Sequence, residues 1–268
     1  MSPRDAFKER LSGFGRASRS GRGPRPERPR DLAGLRRIVD DGDVLIVERT
    51  FEELAPASEV AALAARLAAA RKAHRGRDDI HEEILELVRR PEEAVFVDTE
   101  TTGLAGNMVF LLGTMRVSGT TLTLRQVFAR DYREEPALLA EWLRLLASSS
   151  MIVSFNGKAF DLPVLRDRFA VHGIESPAEP VHVDLLHHAR RRWRGVLPDC
   201  RLQTLEWRVC GRRRTGDIPG EEIPAAYHRF VRTADPSDML TVFHHNALDL
   251  VTLADVAAAL TAPEDPPP

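Results

Sequence analysis

The sequence contains few cysteines and no long apolar run, and these absences exclude several classes of protein. Its two cysteines, Cys200 and Cys210, match no zinc-binding spacing and cannot build a disulfide framework, so we expect a protein of the reducing cytoplasm. No apolar stretch approaches the roughly 20 residues needed to span a bilayer. The N-terminus also lacks the hydrophobic core of a secretory signal. We therefore expect no membrane partner.

Positive charge is concentrated at the N-terminus. The whole chain has a formal net charge of −2, so bulk charge does not point to nucleic acid. Residues 1–37 nevertheless contain eleven lysine or arginine residues and four acidic ones, among many glycine, serine and proline residues. We interpret this segment as a disordered basic tail. It is either an arm that attracts phosphate groups or an ordinary solvated terminus.

Residues 38–90 are predicted to form an N-terminal extension made of a strand and two helices. Residues 43–51 alternate weakly between apolar and polar side chains, which indicates a strand or one arm of a hairpin. Residues 58–75 and 78–90 have helical periodicity. None of these segments carries obvious chemistry, so we expect them to pack onto the domain that follows.

The main domain is predicted to span residues 91–262, with a short tail at 263–268. Its first three apolar runs are joined by short links, which favours a three-stranded antiparallel meander. Helices and short strands then alternate before helices alone continue. We therefore predict an α/β fold, a mixed sheet in which parallel strands extend the meander, with helices on both faces. The predicted elements after the run at Ala94 are strands at 108–117, 121–129, 151–155 and 181–183, and helices at 134–147 and 160–172.

The first of these apolar runs ends in two carboxylates, Asp98 and Glu100. Residues two apart in a strand point to the same face, so the two side chains stand side by side. Like charges at this distance repel, and burial makes ionising both harder. A divalent cation between them resolves the conflict. The alternative is a strand that ends in a polar turn, but a turn has no need of two acids on one face.

A second candidate segment surrounds Asp161, where a strand leads through a glycine-containing turn into a helix. Asp161 comes just before Leu162 and Pro163, so it is either a site residue or the cap of that helix. Asn156 is likewise either a site residue or an ordinary turn residue. Asp184 is interpreted as the cap of a later helix, with a supporting role at the site as the alternative.

A third candidate is Asp249, whose position follows from helical periodicity. Leu253, Val256 and Leu260 lie 4, 7 and 11 residues further on, so Asp249 belongs to the apolar stripe of the last helix. A buried, unpaired carboxylate costs roughly several kcal/mol and requires a positive partner. No lysine or arginine lies nearby in the sequence. A metal ion is the natural partner, and a salt bridge from elsewhere in the fold is the alternative.

Together these segments resemble the three motifs of the DEDD superfamily, the DnaQ-like 3′–5′ exonucleases. The first motif, D-x-E-T-T-G, is matched in full by residues 98–103. The second, an Asn followed four residues later by an aromatic residue and then Asp, is matched by Asn156, Phe160 and Asp161. The third, an acid preceded by His or Tyr at −5 or −4, is matched by Asp249. All three occur in the right order and structural context, which makes the combined signal specific.

A closer resemblance, over about residues 91–262, is to the bacterial YprB-type ribonuclease H-like family. The shared features are HVDLL at 182–186, LQTLE at 202–206, DIPGEEIP at 217–224 with Tyr227, and the pair His245-Asn246 before Asp249. This resemblance implies a ribonuclease H-like fold. It says little about the N-terminal third of the chain.

The resemblance implies a metal-dependent 3′–5′ exonuclease that hydrolyses phosphodiester bonds of DNA or RNA, acting on a single-stranded 3′ end. Four carboxylates would hold two divalent cations, Mg²⁺ or Mn²⁺; they are Asp98, Glu100, Asp161 and Asp249. The residues expected to contact the substrate are Thr101, Gly103, Leu104, Asn156 and Phe160.

A histidine is suited to deprotonate the attacking water because its pKa lies near neutrality. His244 stands at −5 from Asp249 and His245 at −4, and both remain candidates for the base. If the last helix already includes residue 245, His245 shares the face of Asp249 and His244 points away. If the helix starts later, His244 can turn in. The family-like His-Asn pair favours His245.

Two arginine clusters and three further histidines allow two interpretations each. The clusters at 190–194 and 212–214 either bind a nucleic-acid strand or form a solvated helix face. We interpret His182, His187 and His188 as surface histidines, with a second metal site as the alternative.

Three rival functions fit the same motifs. They are a non-catalytic nucleic-acid-binding module, a structure-specific endonuclease that uses the same metals, and an interaction protein that docks through its basic arm. The intact set of four acids argues against a pure binder, because a binder has no use for four carboxylates that face a phosphate. The sequence leaves the choice of DNA or RNA and the oligomeric state open.

Overall fold

A computed structural model describes residues 37–40, 44–53, 57–73, 81–103, 108–118, 121–176, 178 and 180–261. Most of the predicted basic tail and the predicted C-terminal tail lie outside the described residues. Among the helices that are described, none combines the length and the apolar character needed to cross a membrane.

Seven strands form one sheet in the order β1-β2-β5-β4-β3-β6-β7. The strands are β1 (Arg37–Asp40), β2 (Leu45–Thr50), β3 (Ala94–Thr101), β4 (Val109–Ser118), β5 (Thr121–Phe128), β6 (Met151–Ser154) and β7 (Val181–Asp184). The strands β3, β4 and β5 pair antiparallel as the predicted meander, whereas β6 pairs parallel with both β3 and β7. The predicted mixed sheet is therefore confirmed.

Eight α-helices accompany the sheet among the described residues. They are α1 (Ala57–Ala73), α2 (Glu82–Arg89), α3 (Glu135–Ala147), α4 (Asp161–Val171), α5 (Leu185–Trp193), α6 (Leu202–Arg208), α7 (Ile223–Thr233) and α8 (Ser237–Ala259). The central strand β3 shows why helices are needed on both faces. Val95 and Val97 belong to a core shared with α3, α4 and α7, whereas Ala94 and Phe96 face a second core shared with α1, α2, α5 and α6. Successive side chains point to opposite faces, so both faces must be covered.

The residues before the main domain contribute to the same sheet. β1 and β2 form an antiparallel hairpin, and β2 pairs with β5 from Leu45 opposite Phe128 to Thr50 opposite Thr123. The boundary proposed at residue 91 therefore runs through a shared sheet. Pairing with β2 satisfies the backbone groups that β5 would otherwise leave open at an edge.

Helix α8 packs in both cores, one with each half, and the residues between the two halves contribute to the candidate site. Its first half buries Met239, Val242 and Phe243 in the core of α3 and α4. Its second half buries Leu250 and Leu253 in the core of α1 and α2. The residues between them lie beside the sheet where β3, β6 and β7 end in parallel. Because the carboxyl ends of parallel strands meet at one edge of a sheet, polar residues there converge.

Candidate active site

Four carboxylates predicted from the sequence come from three elements that meet at this edge. Asp98 and Glu100 lie near the end of β3, Asp161 is the first residue of α4, and Asp249 lies within α8. The cap position of α4 belongs to Phe160. Asp161 instead accepts hydrogen bonds at Oδ1 from the Thr99 backbone N–H, at 3.2 Å, and from the Thr99 hydroxyl. Its carboxylate therefore joins α4 to β3.

The electrostatics of three of these acids show that they lie in one another's field. Burial, followed by the charges of Asp249, Glu100 and Asp161, raises the pKa of Asp98 well above its ordinary value. Burial and the neighbouring acids likewise raise the pKa of Glu100 to about 8, against the opposing charge of His245. Burial also raises the pKa of Asp161, although its bonds to Thr99 oppose the shift. The cluster therefore holds more negative charge than its surroundings compensate.

These shifts predict that the protein without metal loses stability as the pH rises. The folded state holds the Glu100 proton up to about pH 8, whereas the ordinary value is 4.5, so the folded state binds more protons between these limits. Stability then falls with increasing pH, and His245, whose pKa is also raised, acts in the same direction. Urea unfolding in EDTA should give a free energy of unfolding that declines from pH 5 to pH 8, and less steeply for Glu100→Gln. A free energy that rises over this range in both proteins would contradict the prediction.

Asp249 has the long-range salt bridge that the sequence left open as an alternative. Arg214 reaches it from the loop after α6 and also pairs with Glu206 and with Asp217 Oδ2, the latter at 3.1 Å. The Arg214 side chain is 8% exposed. Arg214 therefore does not belong to a solvated helix face, because it is largely buried and paired with acids.

Arg212 is also paired with buried acids, but it lies further from the candidate site. Its Nη1 lies 2.9 Å from the Oδ2 of the fully buried Asp255, which Arg66 also contacts. Arg213 alone of this cluster is exposed. Sequence reasoning missed these pairs because most of the partners lie far apart in the sequence, up to 189 residues for Arg66 and Asp255.

His245 is brought into the site by the early start of α8. Because the helix begins at Ser237, both histidines are helical, and His245 stands one turn before Asp249. Its Nε2 lies 3.4 Å from Asp249 Oδ2, and its Nδ1 lies 2.9 Å from Asp217 Oδ1. Burial disfavours a charge on the ring, but the bond to Asp217 and the charges of Asp249 and Glu100 raise its pKa to about 9. His244 is the preceding residue and points about 100° away around the helix.

Asp217 was not assigned a role from the sequence, although it begins the DIPGEEIP segment. It pairs with both Arg214 and His245, and these contacts lower its pKa in spite of its burial. A carboxylate on Nδ1 fixes the ring orientation and directs Nε2 toward Asp249. Asp217 is therefore a positioning residue of the site.

A buried polar chain holds Asp98 from the opposite side. Asn246 is fully buried and donates from Nδ2 to Asp98 Oδ2 at 2.7 Å. Its Oδ1 accepts from Gln126 Nε2 at 2.8 Å, and Gln126 in turn accepts from Arg49. The conformation of Asp98 is thus set through β5 and β2, elements that the motifs do not include.

Gly113 leaves the space that Asn246 occupies. It lies opposite Asp98 in the β3–β4 register, and a Cβ added to it would stand 2.0 Å from Asn246 Oδ1 and 2.6 Å from Cγ. Gly113→Ala should therefore displace Asn246 and lower the free energy of unfolding by about 1–3 kcal/mol, measured by urea denaturation. The control is Gly220→Ala, whose added Cβ meets nothing within 4 Å. Equal stability of the two variants would contradict the prediction.

The residues expected to contact substrate lie around the same edge. The Thr101 hydroxyl donates to the Gly103 carbonyl at 2.7 Å, and Phe160 is 53% exposed. Asn156 adopts a left-handed conformation with φ of 66°, and its N–H donates to Asp184 Oδ1 at 2.8 Å. Leu104 lies outside the described residues.

Asp184 performs both of the roles considered for it. Its side chain caps α5 by accepting from the Leu186 N–H at 3.1 Å. It also accepts from the N–H groups of Asn156 and Lys158. It thereby holds the turn that leads to Asp161.

The sheet order, the helices on both faces and the acids at one edge are those of the ribonuclease H-like class, and comparisons with known proteins agree. A model of the RNase H superfamily matches residues 95–261. The chain therefore belongs to the RNase H superfamily.

More specific matches concern one curated protein and two solved structures. The chain is 39% identical over 163 residues to the uncharacterized protein YprB of Bacillus subtilis (strain 168), a match that covers 59% of this chain and 39% of YprB. The chain thus spans about two fifths of that relative's length. It is also similar to a family B DNA polymerase from the archaeon Pyrobaculum calidifontis, with a TM-score of 0.50 and 17% identity over 61% of this chain and 24% of the polymerase. The zinc-bound E. coli ExoI–ssDNA complex matches with a TM-score of 0.37 and 19% identity, over 57% of this chain and 43% of that one.

Proposed function

We propose that this protein is a metal-dependent 3′–5′ exonuclease that hydrolyses phosphodiester bonds of single-stranded nucleic acid. The observation that carries the proposal is the convergence of Asp98, Glu100, Asp161 and Asp249 at one edge of the sheet. A fold needs no such cluster, because burying like charges together is unfavourable. The match of these four acids to the DEDD motifs supports the same conclusion.

The donors fit hard divalent cations such as Mg²⁺ or Mn²⁺. All four offer carboxylate oxygens, the ligands that these ions prefer. Burial raises the pKa values of Asp98, Glu100 and Asp161, and neighbouring acids add to the shifts. Bound cations would favour the ionised form of each carboxylate. Two such ions would polarise the scissile phosphate and stabilise the charge on the leaving oxygen.

His245 is proposed as the base that takes a proton from the attacking water. Asp217 holds Nδ1, so Nε2 is the atom available for this step. In the absence of cations the bond to Asp217 and the charges of Asp249 and Glu100 favour a protonated ring. Once those two carboxylates are neutralised, the ring loses its proton more easily and Nε2 can accept one near neutral pH.

A cleft beside the site supports a path for the nucleic-acid strand. It has a volume of about 610 Å³ and shares Arg214 and Asp217 with the site. Trp207 lines it and is 41% exposed. The guanidinium carbons of Arg208 and Arg213 lie 3.8 and 4.1 Å from the centroid of the Trp207 ring. Arginine planes stacked on an aromatic ring suit contacts with phosphates and bases.

Arg213→Ala is expected to weaken binding of the strand. The exposed guanidinium would contact a phosphate, so its loss should raise KM several-fold, leave kcat nearly unchanged and reduce the slope of log K against log salt concentration by roughly one unit. The measurement is steady-state cleavage and binding over a series of salt concentrations. Arg133→Ala is the control, because Arg133 is 84% exposed and does not line the cleft. If KM and the salt slope are unchanged in Arg213→Ala, the proposal that the strand binds in this cleft is wrong.

The proposed function is tested with 5′-labelled single-stranded DNA and RNA in Mg²⁺, Mn²⁺ or EDTA. A ladder of progressively shorter labelled products that disappears in EDTA is the expected result, and the polymer that is cleaved identifies the substrate. Cleavage at internal sites of a circular single strand, which has no 3′ end, would instead favour the endonuclease. Binding of either polymer by folded protein without cleavage in either metal would contradict the proposal in favour of a non-catalytic binding module.

A further inference from the structure

A second cluster of potential metal ligands lies outside the candidate active site. Among the described residues, one group of three histidine, cysteine or acidic side chains has ligand atoms that all lie within 4.8 Å of one another, and it consists of His81, Glu83 and His188. No three of the four carboxylates of the candidate active site meet this distance limit. Mutual repulsion of like charges is expected to keep them further apart. Nothing in the proposed nuclease function uses the second cluster.

The cluster is built where two helices pack against each other. His81 occupies the cap position of α2, and Glu83 lies in its first turn. His188 lies on α5, and the two helices share a core through Ile84, Leu85 and Ala189. Packing of the two helices therefore sets the distance between the backbones that carry Glu83 and His188, whereas the His81 side chain is exposed. His188 is only 5% exposed, so its interpretation as a surface histidine was wrong.

The spacing within the cluster is close to that of a metal site. The Nε2 of His188 lies 2.9 Å from Glu83 Oε2, and the rings of His81 and His188 have centroids 4.9 Å apart. Tetrahedral Zn²⁺, bound at about 2.0–2.1 Å, separates its ligand atoms by roughly 3.4 Å. Shifts below about 1 Å in the positions of these side chains convert the present spacing to that geometry.

The chemistry of the three residues favours coordination over a simple ion pair. Burial lowers the pKa of His188 and so favours the neutral ring, the form that binds a metal. His81 Nδ1 accepts a hydrogen bond from the Glu83 backbone N–H at 3.3 Å. This hydrogen bond is long and therefore weak, so little stability is lost when a metal replaces it. Two imidazoles and one carboxylate form a common ligand set for Zn²⁺ that leaves a fourth position for water.

We propose that His81, Glu83 and His188 form a second metal site, which binds a divalent transition metal such as Zn²⁺ and fastens α2 to α5. The site takes its ligands from residues on both sides of the boundary at residue 91. Its occupancy would stabilise the packing of the N-terminal helices on the domain. It does not depend on the proposed nuclease activity.

The experiment is titration of the full chain with Zn²⁺ by isothermal calorimetry in excess Mg²⁺, which saturates the carboxylate site first. One equivalent of Zn²⁺ should bind and raise the melting temperature, because a ligand that binds only the folded state stabilises it. Glu83→Gln and His81→Asn should each lose this equivalent. Gln retains a hydrogen-bond acceptor for His188, and Asn retains a helix cap, so both variants keep the local fold.

Two further variants separate this site from its surroundings. His187 lies on the same helix but its side chain is 56% exposed, so His187→Ala should keep the Zn²⁺ equivalent. Asp98→Asn should keep it as well, because Asp98 belongs to the other site. The proposal is overturned if no Zn²⁺ binds in excess Mg²⁺, if Asp98→Asn abolishes the equivalent, or if Glu83→Gln and His81→Asn bind it as tightly as the original protein.

Discussion

Asp98→Asn should lower kcat/KM for cleavage of a single strand by roughly a thousandfold. The carboxylate is proposed to hold a cation, and loss of the several kcal/mol that a bound metal would contribute to the transition state corresponds to a factor of this size. Asn has nearly the same shape, and Asn246 can still contact it. The loss should therefore arise from charge rather than from misfolding.

The same variant should become more stable when metal is absent. The raised pKa of Asp98 means that its ionised form is disfavoured in the folded state, so removal of that charge should raise the melting temperature in EDTA. Mn²⁺ should stabilise the original protein but stabilise Asp98→Asn much less. Opposite effects on activity and on metal-free stability are typical of a metal ligand and not of a residue that only supports the fold.

The matched control is Asp238→Asn. Asp238 lies in the first turn of α8 and its exposed side chain pairs with Arg229 at 2.9 Å. Activity and the response to Mn²⁺ should both be unchanged in this variant. If folded Asp98→Asn cleaves nucleic acid at a normal rate, the assignment of Asp98 as a cation ligand is lost.

His245→Ala should reduce kcat by about 10²- to 10⁴-fold, the range expected for removal of a general base. The ring is held between Asp217 and Asp249 with Nε2 toward the carboxylates. His244→Ala should retain most of the activity, because that side chain leaves the helix in another direction. The pair of variants differs by one position on the same helix, so general damage to α8 affects both.

A pH profile distinguishes a base from a residue that only supports the structure. In the original protein kcat should rise with pH as His245 loses its proton, and this limb should be absent in His245→Ala. Asp217→Asn should shift the limb to lower pH, because the carboxylate that raises the pKa of the ring is gone. Normal activity in His245→Ala, combined with a loss in His244→Ala, would assign the base to His244.

Local patterns were sufficient to predict much of the fold. The period of two in β3, the turn after β4 and the apolar stripes of α3 and α8 depend on neighbours within a few residues. The meander and its bounds were therefore predicted to within about two residues. The sequence indicated a possible hairpin arm near β2 but did not predict where it joins the sheet, because its partner β5 lies about 80 residues further along the chain.

By itself, the sequence determined which carboxylates are available and which of them share a face. Asp98 and Glu100 are neighbours because a strand has a period of two, and Asp249 lies on an apolar stripe because a helix has a period of 3.6. Only the tertiary structure decided what neutralises and orients them. Arg214 meets Asp249 across 35 residues, Asp217 meets His245 across 28, and Asn246 meets Asp98 across 148. Such pairs cannot be predicted from the periodicity of the sequence, because they form only when α8 packs against the sheet.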